Sequence, residues 1–265
     1  MYNLIIADLF KLRKSMAIKI LFAITTLSAV AMIVMAYLIP QGKIDDSMSG
    51  LAFMFCDMSM MSILGAVIAG IYICGDIDNK TIHDAIANGC SRGAVIVSKT
   101  VVFFLAIAFI LLPYAITTAI ALGTSNKFSI GSSTLGFLHM LTSKGAAAFS
   151  ISDIWKLLII MIVMIIVYMA QLSVCVPLAL ALKKPALVIP IYYGFSILCG
   201  QLMTLKGKFT LFDNIFACTP YGGNHAFLTL DTASGDIFKT LFVSLIFIIA
   251  MLAVTYCAFR KSEIK

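Results

Sequence analysis

The chain has 265 residues, of which 62% are hydrophobic and 12% charged, with a formal net charge of +7 and a mean hydropathy of +1.06. Soluble domains run at about 45–50% apolar and about 25% charged residues, so this composition excludes an ordinary soluble domain and predicts an integral membrane protein. The basic residues are scattered beside apolar runs and form no compact basic domain, which argues against nucleic acid as a partner and fits membrane orientation instead.

At the N-terminus, Tyr2, Ile5, Ile6, Leu9, Leu12 and Met16 share one face of a helix, with Asn3, Lys11 and Lys14 on another. This two-faced pattern predicts an N-terminal interfacial helix, its lysines toward anionic lipid headgroups. The apolar run after Lys11, Arg13 and Lys14 is too long for the core of a signal peptide and ends in no small-residue cleavage site, so no cleaved leader is expected. A spanning helix needs about 20 mostly apolar residues. Six runs supply them: 17–39, 51–74, 99–122, 157–182, 186–205 and 237–259. The runs are continuous and do not alternate, which predicts helices and not a barrel. The expectation is an all-α integral membrane protein with six transmembrane helices, a single transmembrane domain over 1–265.

Asp57 lies inside the second run. Such an acid either faces a bundle interior or water-filled cavity, or sits close enough to the interface to meet water. The polar stretch 75–99, GDIDNKTIHDAIANGCSRGAVIVSK, then interrupts the apolar sequence. Asp78 or Asn79 is placed to cap a helix there, and Gly89 to end it in a left-handed conformation. Between them lie about ten helical residues, roughly 15 Å of helix. Ile82, Ala85 and Ile86 share one face at i, i+3, i+4, with Lys80, His83 and Asp84 around the remainder. So short a helix is not stable alone in water and needs something to lie against; the plainer alternative is a solvated connector. Ser91 is placed to cap the helix running into the third span.

Pro113, Pro177 and Pro190 are placed to kink spans three, four and five. Gln171, in the fourth run, is expected to bond across helices. A tight Lys183-Lys184-Pro185 turn joins the fourth and fifth runs. The segment 206–236 carries Phe209, Leu211, Phe212, Ile215, Phe216, Phe227 and Leu228 and is too apolar for a solvated loop. Two short re-entrant helices before span six, split by Pro220 and Gly222-Gly223, are expected; such backbone is tolerated where protein buries it. Six spans put both termini on one side. Of the 19 Lys and Arg residues, 12 lie on that side, so the positive-inside rule predicts cytoplasmic termini and a cytoplasmic 75–99 loop.

Seven cysteines, an odd number without a C-x-x-C pair, behave as small hydrophobes in such surroundings. His83, His139 and His225 are spread over three loops without metal-ligand spacing. No H-E-x-x-H, G-x-S-x-G or G-x-x-x-x-G-K-[ST] occurs, so the chain is expected to hold no catalytic site, metal or phosphate loop. The lack of an internal repeat sets it apart from inverted-repeat secondary transporters.

With these features the chain resembles the membrane-spanning permease subunits of type-2 ATP-binding cassette (ABC) transporters, in the bacterial branch with a separate ATPase chain. The opening YNLIIADLFKLRKS looks like that family's amphipathic start before span one. The 75–99 stretch is similar to its loop between spans two and three, with Asp76, Asn79, Thr81, Ile82, Gly89, Ser91, Arg92, Ser98 and Lys99 at matching positions. The 206–236 segment resembles its re-entrant region. Lys80 stands where a glycine is usual, and Val97 where leucine is usual, so Lys80 bears on the turn before the helix. The resemblance implies that this loop holds a coupling helix seated in a groove of the ATPase. Ile82, Ala85 and Ile86 would be its docking face, Thr81, His83 and Asp84 its polar contacts, and Arg92 and Lys99 its headgroup anchors. It further implies a non-enzymatic permease that exports a hydrophobic or amphipathic substrate across a bacterial cytoplasmic membrane. The partners are ABC ATPase subunits, which bind the ATP and Mg, a second permease subunit (identical or related) and membrane lipid. No cofactor is expected in this chain. Asp57 and Gln171 are substrate-path candidates on polarity alone. An ion-coupled secondary transporter and a non-transporting membrane scaffold are the alternatives; the scarcity of charge inside the spans weighs against the first.

Overall fold

The computed structural model describes residues 2–45, 48–124, 126–130, 135–143, 151–203, 208, 210–222 and 225–261. The chain begins with α1 (Tyr2–Lys14) and α2 (Met16–Leu38), parted at Ser15, whose extended backbone turns one helix away from the next. The second apolar run is broken. α3 (Ser49–Met54) ends at Phe55, and α4 (Asp57–Ala69) restarts after an extended Cys56. A π-helical turn, Gly70–Cys74, carries α4 into α5 (Gly75–Asp78). There follow α6 (Thr81–Ala87), α7 (Arg92–Leu122), α8 (Gly136–Ser143), α9 (Ile151–Leu172), α10 (Cys175–Leu182), α11 (Pro185–Leu202), α12 (Thr210–Ala217) and α13 (Ser234–Lys261). Among the described residues there is no strand.

Six helical spans are long and apolar enough to cross a membrane: Met16–Leu38, Asp57–Asp78, Arg92–Leu122, Asp153–Leu182, Pro185–Leu202 and Ser234–Arg260. This is the architecture of a multi-pass membrane protein, and each predicted run overlaps one of them. The second begins at Asp57 and not at 51, because the run breaks at Phe55–Cys56. The third begins at Arg92, so the polar residues before 99 are helical too. Its 31 residues make a rod of about 46 Å against about 30 Å of hydrocarbon, so the helix is longer than the lipid core is thick. Pro113 sits in α7 without interrupting it. Span four is interrupted between Leu172 and Cys175, where Pro177 has no N–H to give to the Ser173 carbonyl.

Spans two, three and four are each 61% buried over their most apolar stretch, against 17% for spans five and six. The first group is therefore the centre of the bundle. α7 is its axis, packing on α1, α2, α9 and α13 and enclosing Phe103, Ile107, Ile110, Leu111 and Tyr114. Lipid tails are as apolar as these side chains, so close packing and interhelical hydrogen bonds must hold the helices together. The break at Phe55 supplies one such tie. Its carbonyl, released from α3, accepts from Ser28 Oγ at 3.0 Å and from Tyr114 Oη at 2.9 Å, joining spans one, two and three. Gly70 supplies a close approach: a Cβ there would stand 3.0 Å from Pro185 of the Lys183-Lys184-Pro185 turn.

Two features depart from the sequence expectation. α8 is an unanticipated helix in the 123–156 segment, with Phe137, Leu138, Met140 and Leu141 buried in the bundle. Of the two helices expected in 206–236, α12 forms, but residues 225–233 carry turns. There the Thr229 N–H donates to Thr232 Oγ1 at 2.8 Å. A hydroxyl that serves the backbone in this way competes with the helical bond.

Candidate functional site at the 76–99 loop

The loop's local chemistry closes a shorter helix than the sequence predicts. Asn79 and Lys80 N–H groups bond to the Gly75 and Ile77 carbonyls at 3.0 Å each, ending α5. Lys80 then takes φ +58°, a left-handed conformation that costs a non-glycine residue about 1–2 kcal/mol. The turn favoured by glycine thus forms on a lysine. Lys80, and not Asp78 or Asn79, is the residue before α6, which has seven residues. At the other end Gly89 takes φ +87°. Cys90 N–H bonds to Ala85 O and Gly89 N–H to Ile86 O, both at 3.0 Å, a Schellman motif. Ser91 Oγ accepts the Ala94 N–H at 3.2 Å and starts α7.

α6 buries its apolar face on its own chain. Ile82 is 2% exposed and lines a cavity of about 240 Å³ with Leu4 and Ala7 of α1 and Val95 of α7. Ala85 and Ile86 are half-buried against the core. The expectation that Ile82 leads an outward docking face is corrected here: a helix this short takes its stability from packing, and the nearest apolar surface is α1 and α7. The outward face consists of Thr81, Asp84, Ala87 and Asn88, with His83 half-buried at its edge.

Beneath α6 lies a cluster of four charges. Lys99, 6% exposed, pairs with Asp8 of α1 at 2.6 Å and with Asp76 of α5. Asp76 also pairs with Lys11 of α1. Ser98 Oγ donates to the second Asp8 oxygen at 3.2 Å, Thr81 Oγ1 donates to the Asp76 carbonyl at 2.9 Å, and the Lys99 ammonium stands 4.9 Å over the Tyr72 ring. Two acids and two cations balance, which is what makes burial of Asp8 and Asp76 tolerable. The headgroup role expected for Lys99 is thereby corrected: its charge is spent inside the protein. Arg92 is likewise engaged, donating to the Arg260 carbonyl at 3.0 Å at the end of α13, where a cation suits the helix terminus. Sequence reasoning missed Asp8. The available signal was an acid on the same helical stripe as Ile5, Leu9 and Leu12.

The two substrate-path candidates lie elsewhere. Asp57 is fully buried at the start of α4, accepting the Tyr168 hydroxyl and the Phe137 N–H, the latter at 3.0 Å. Gly136, at φ +65°, makes room for it. Gln171 does bond across elements: its Nε2 donates to Pro220 O at 3.0 Å, and Tyr221 Oη donates to its backbone carbonyl at 2.5 Å. The 219–222 turn thus reaches the broken part of span four. Neither residue lines the cleft of about 320 Å³ between α4 and α11, whose wall includes Ser62, Ser196, Gln201 and Tyr221. No group of histidines, cysteines and acids among the described residues is placed to hold a metal ion. Compared with known proteins, the chain matches no family model and no curated protein.

Proposed function

We propose that the chain is the permease subunit of a bacterial type-2 ABC transporter, exporting a hydrophobic or amphipathic substrate with ATP hydrolysed on a separate chain. The observation that carries this reading is α6. It is a short helix closed at both ends by left-handed residues, stapled to the bundle by buried charge, and presenting Thr81, Asp84, Ala87 and Asn88 outward. A short, polar projection next to long spans suits a surface that receives force from a partner, and the 12 of 19 basic residues on its side of the spans favour a cytoplasmic position for it and for both termini. In this reading α1 lies at the membrane interface, its exposed Tyr2, Ile6 and Phe10 available to lipid. The cleft between α4 and α11 offers a hydroxyl-lined space for substrate, and a second permease subunit completes the path.

The test is to look for an ABC ATPase encoded beside this chain and to co-purify the two. Asp84→Arg combined with Asn88→Arg is expected to abolish assembly while leaving the thermal stability of the isolated chain unchanged. Ile82→Asp, by contrast, is expected to lower that stability, since its side chain is internal. Assembly that survives the double arginine variant refutes the docking assignment. A reporter fused after Lys265 that reports from outside the cell refutes the orientation.

A further inference from the structure

We propose that Lys99 is a positioning residue that binds α1 to α5 and α6, so that the N-terminal helix moves with α6 as one body. This rests on the reading of α6 as the element a partner displaces. The covalent connections alone would not produce it: α1 joins α2 through Ser15, and nothing in the chain connects it directly to α6. Three non-covalent links do. Lys99 bridges Asp8 and Asp76 from inside, Lys11 reaches Asp76 from the rim, and Thr81 at the start of α6 holds the Asp76 carbonyl. Ile82 and Leu4 share the wall of the partly open cavity between the two helices.

The cluster is a joint and not a hinge, because separating its members would leave charge buried without a partner. A push on α6 must therefore carry α1 along. The face of α1 away from the cluster bears Tyr2, Ile6 and Phe10, 75%, 47% and 59% exposed, with Lys14 4.7 Å over the Phe10 ring. Movement of α6 is thus delivered to an apolar stripe at the lipid surface as well as to α7.

The full chain in lipid nanodiscs tests this, with its exposed cysteines replaced and nitroxide labels at Asn3 and Asn88, both exposed. Pulsed electron resonance should give one narrow distance distribution in the parent protein. Asp8→Asn, which leaves Lys99 its Asp76 partner, should broaden it, and Asp8→Glu should restore it, while a label pair at Ile116 and Ile159 stays unchanged. If Asp8→Asn does not accumulate, Ser98→Ala should give a smaller broadening in the same measurement. An unchanged Asn3–Asn88 distribution in the variant measured overturns the joint. With the ATPase and a non-hydrolysable ATP analogue bound, the Asn88–Ile159 distance should shift while Asn3–Asn88 holds; a shift of Asn3 against Asn88 overturns it too. Absence of any ATPase binding, with the nanodisc result as expected, removes the permease reading and leaves the joint standing.

Discussion

Replacing Lys99 by methionine isolates the energetics of the charge cluster. Methionine keeps an unbranched, flexible stem of similar reach, so the substitution removes charge with little loss of packing. Its consequence differs for the two acids. Asp76 retains Lys11, but Asp8 keeps Ser98 and, among the described residues, no cation. Removing one partner of a buried ion pair costs about 3–5 kcal/mol, and here most of that loss resides in Asp8. Lys11→Met is the contrast. The Lys11 side chain is 52% exposed, and an exposed pair contributes about 0–1 kcal/mol. Adding Asp8→Asn to Lys99→Met removes the stranded charge and should return more than half of the loss. The two substitutions should therefore be coupled by about 0.5–3 kcal/mol in the favourable direction. Reversible unfolding in mixed micelles, followed by circular dichroism, measures the parent, Lys11→Met, Lys99→Met, Asp8→Asn and the Lys99→Met/Asp8→Asn double variant. Equal losses for Lys11→Met and Lys99→Met, or additive losses in the double variant, would refute the reasoning.

Two further expectations concern the backbone. Gly222→Ala brings a Cβ onto the carbonyl of Phe216. Backbone cannot swing aside, so a loss of about 1–3 kcal/mol is expected, read as a lower melting temperature. Gly65→Ala meets only the end of the Leu172 side chain and should lower it less; the opposite order would show that the 219–222 turn is not seated against α12. Lys80→Gly removes the strain of a left-handed lysine and should raise stability by up to about 1 kcal/mol. No gain in melting temperature would mean that the turn is formed differently.

Some of the candidate site was legible because it is local. Gly89 and Ser91 act through bonds to residues within five positions, so helix stop and helix start can be read from residue type. The spans were legible for the same reason, since length and apolarity are properties of a continuous run. Lys80 shows where local rules give way. Its side chain disfavours the left-handed turn, yet the surrounding bonds and the packing of α6 impose it.

By itself, the sequence determined an all-helical chain with six apolar spans, a basic bias toward one side and a short polar helix, ended at Gly89, between spans two and three. These follow from composition and from the energetic demand that backbone polar groups in lipid bond within their own segment. Tertiary structure decided which way each polar side chain points. Ile82 turned inward because the nearest apolar surface belongs to its own protein. Lys99 turned from lipid headgroups to Asp8 and Asp76, because an ammonium can reach two carboxylates that lie 91 and 23 positions away in the chain. Asp57 closed against Tyr168 and Phe137, 111 and 80 positions away. Such partners are invisible to spacing, since their proximity exists only once the bundle has packed.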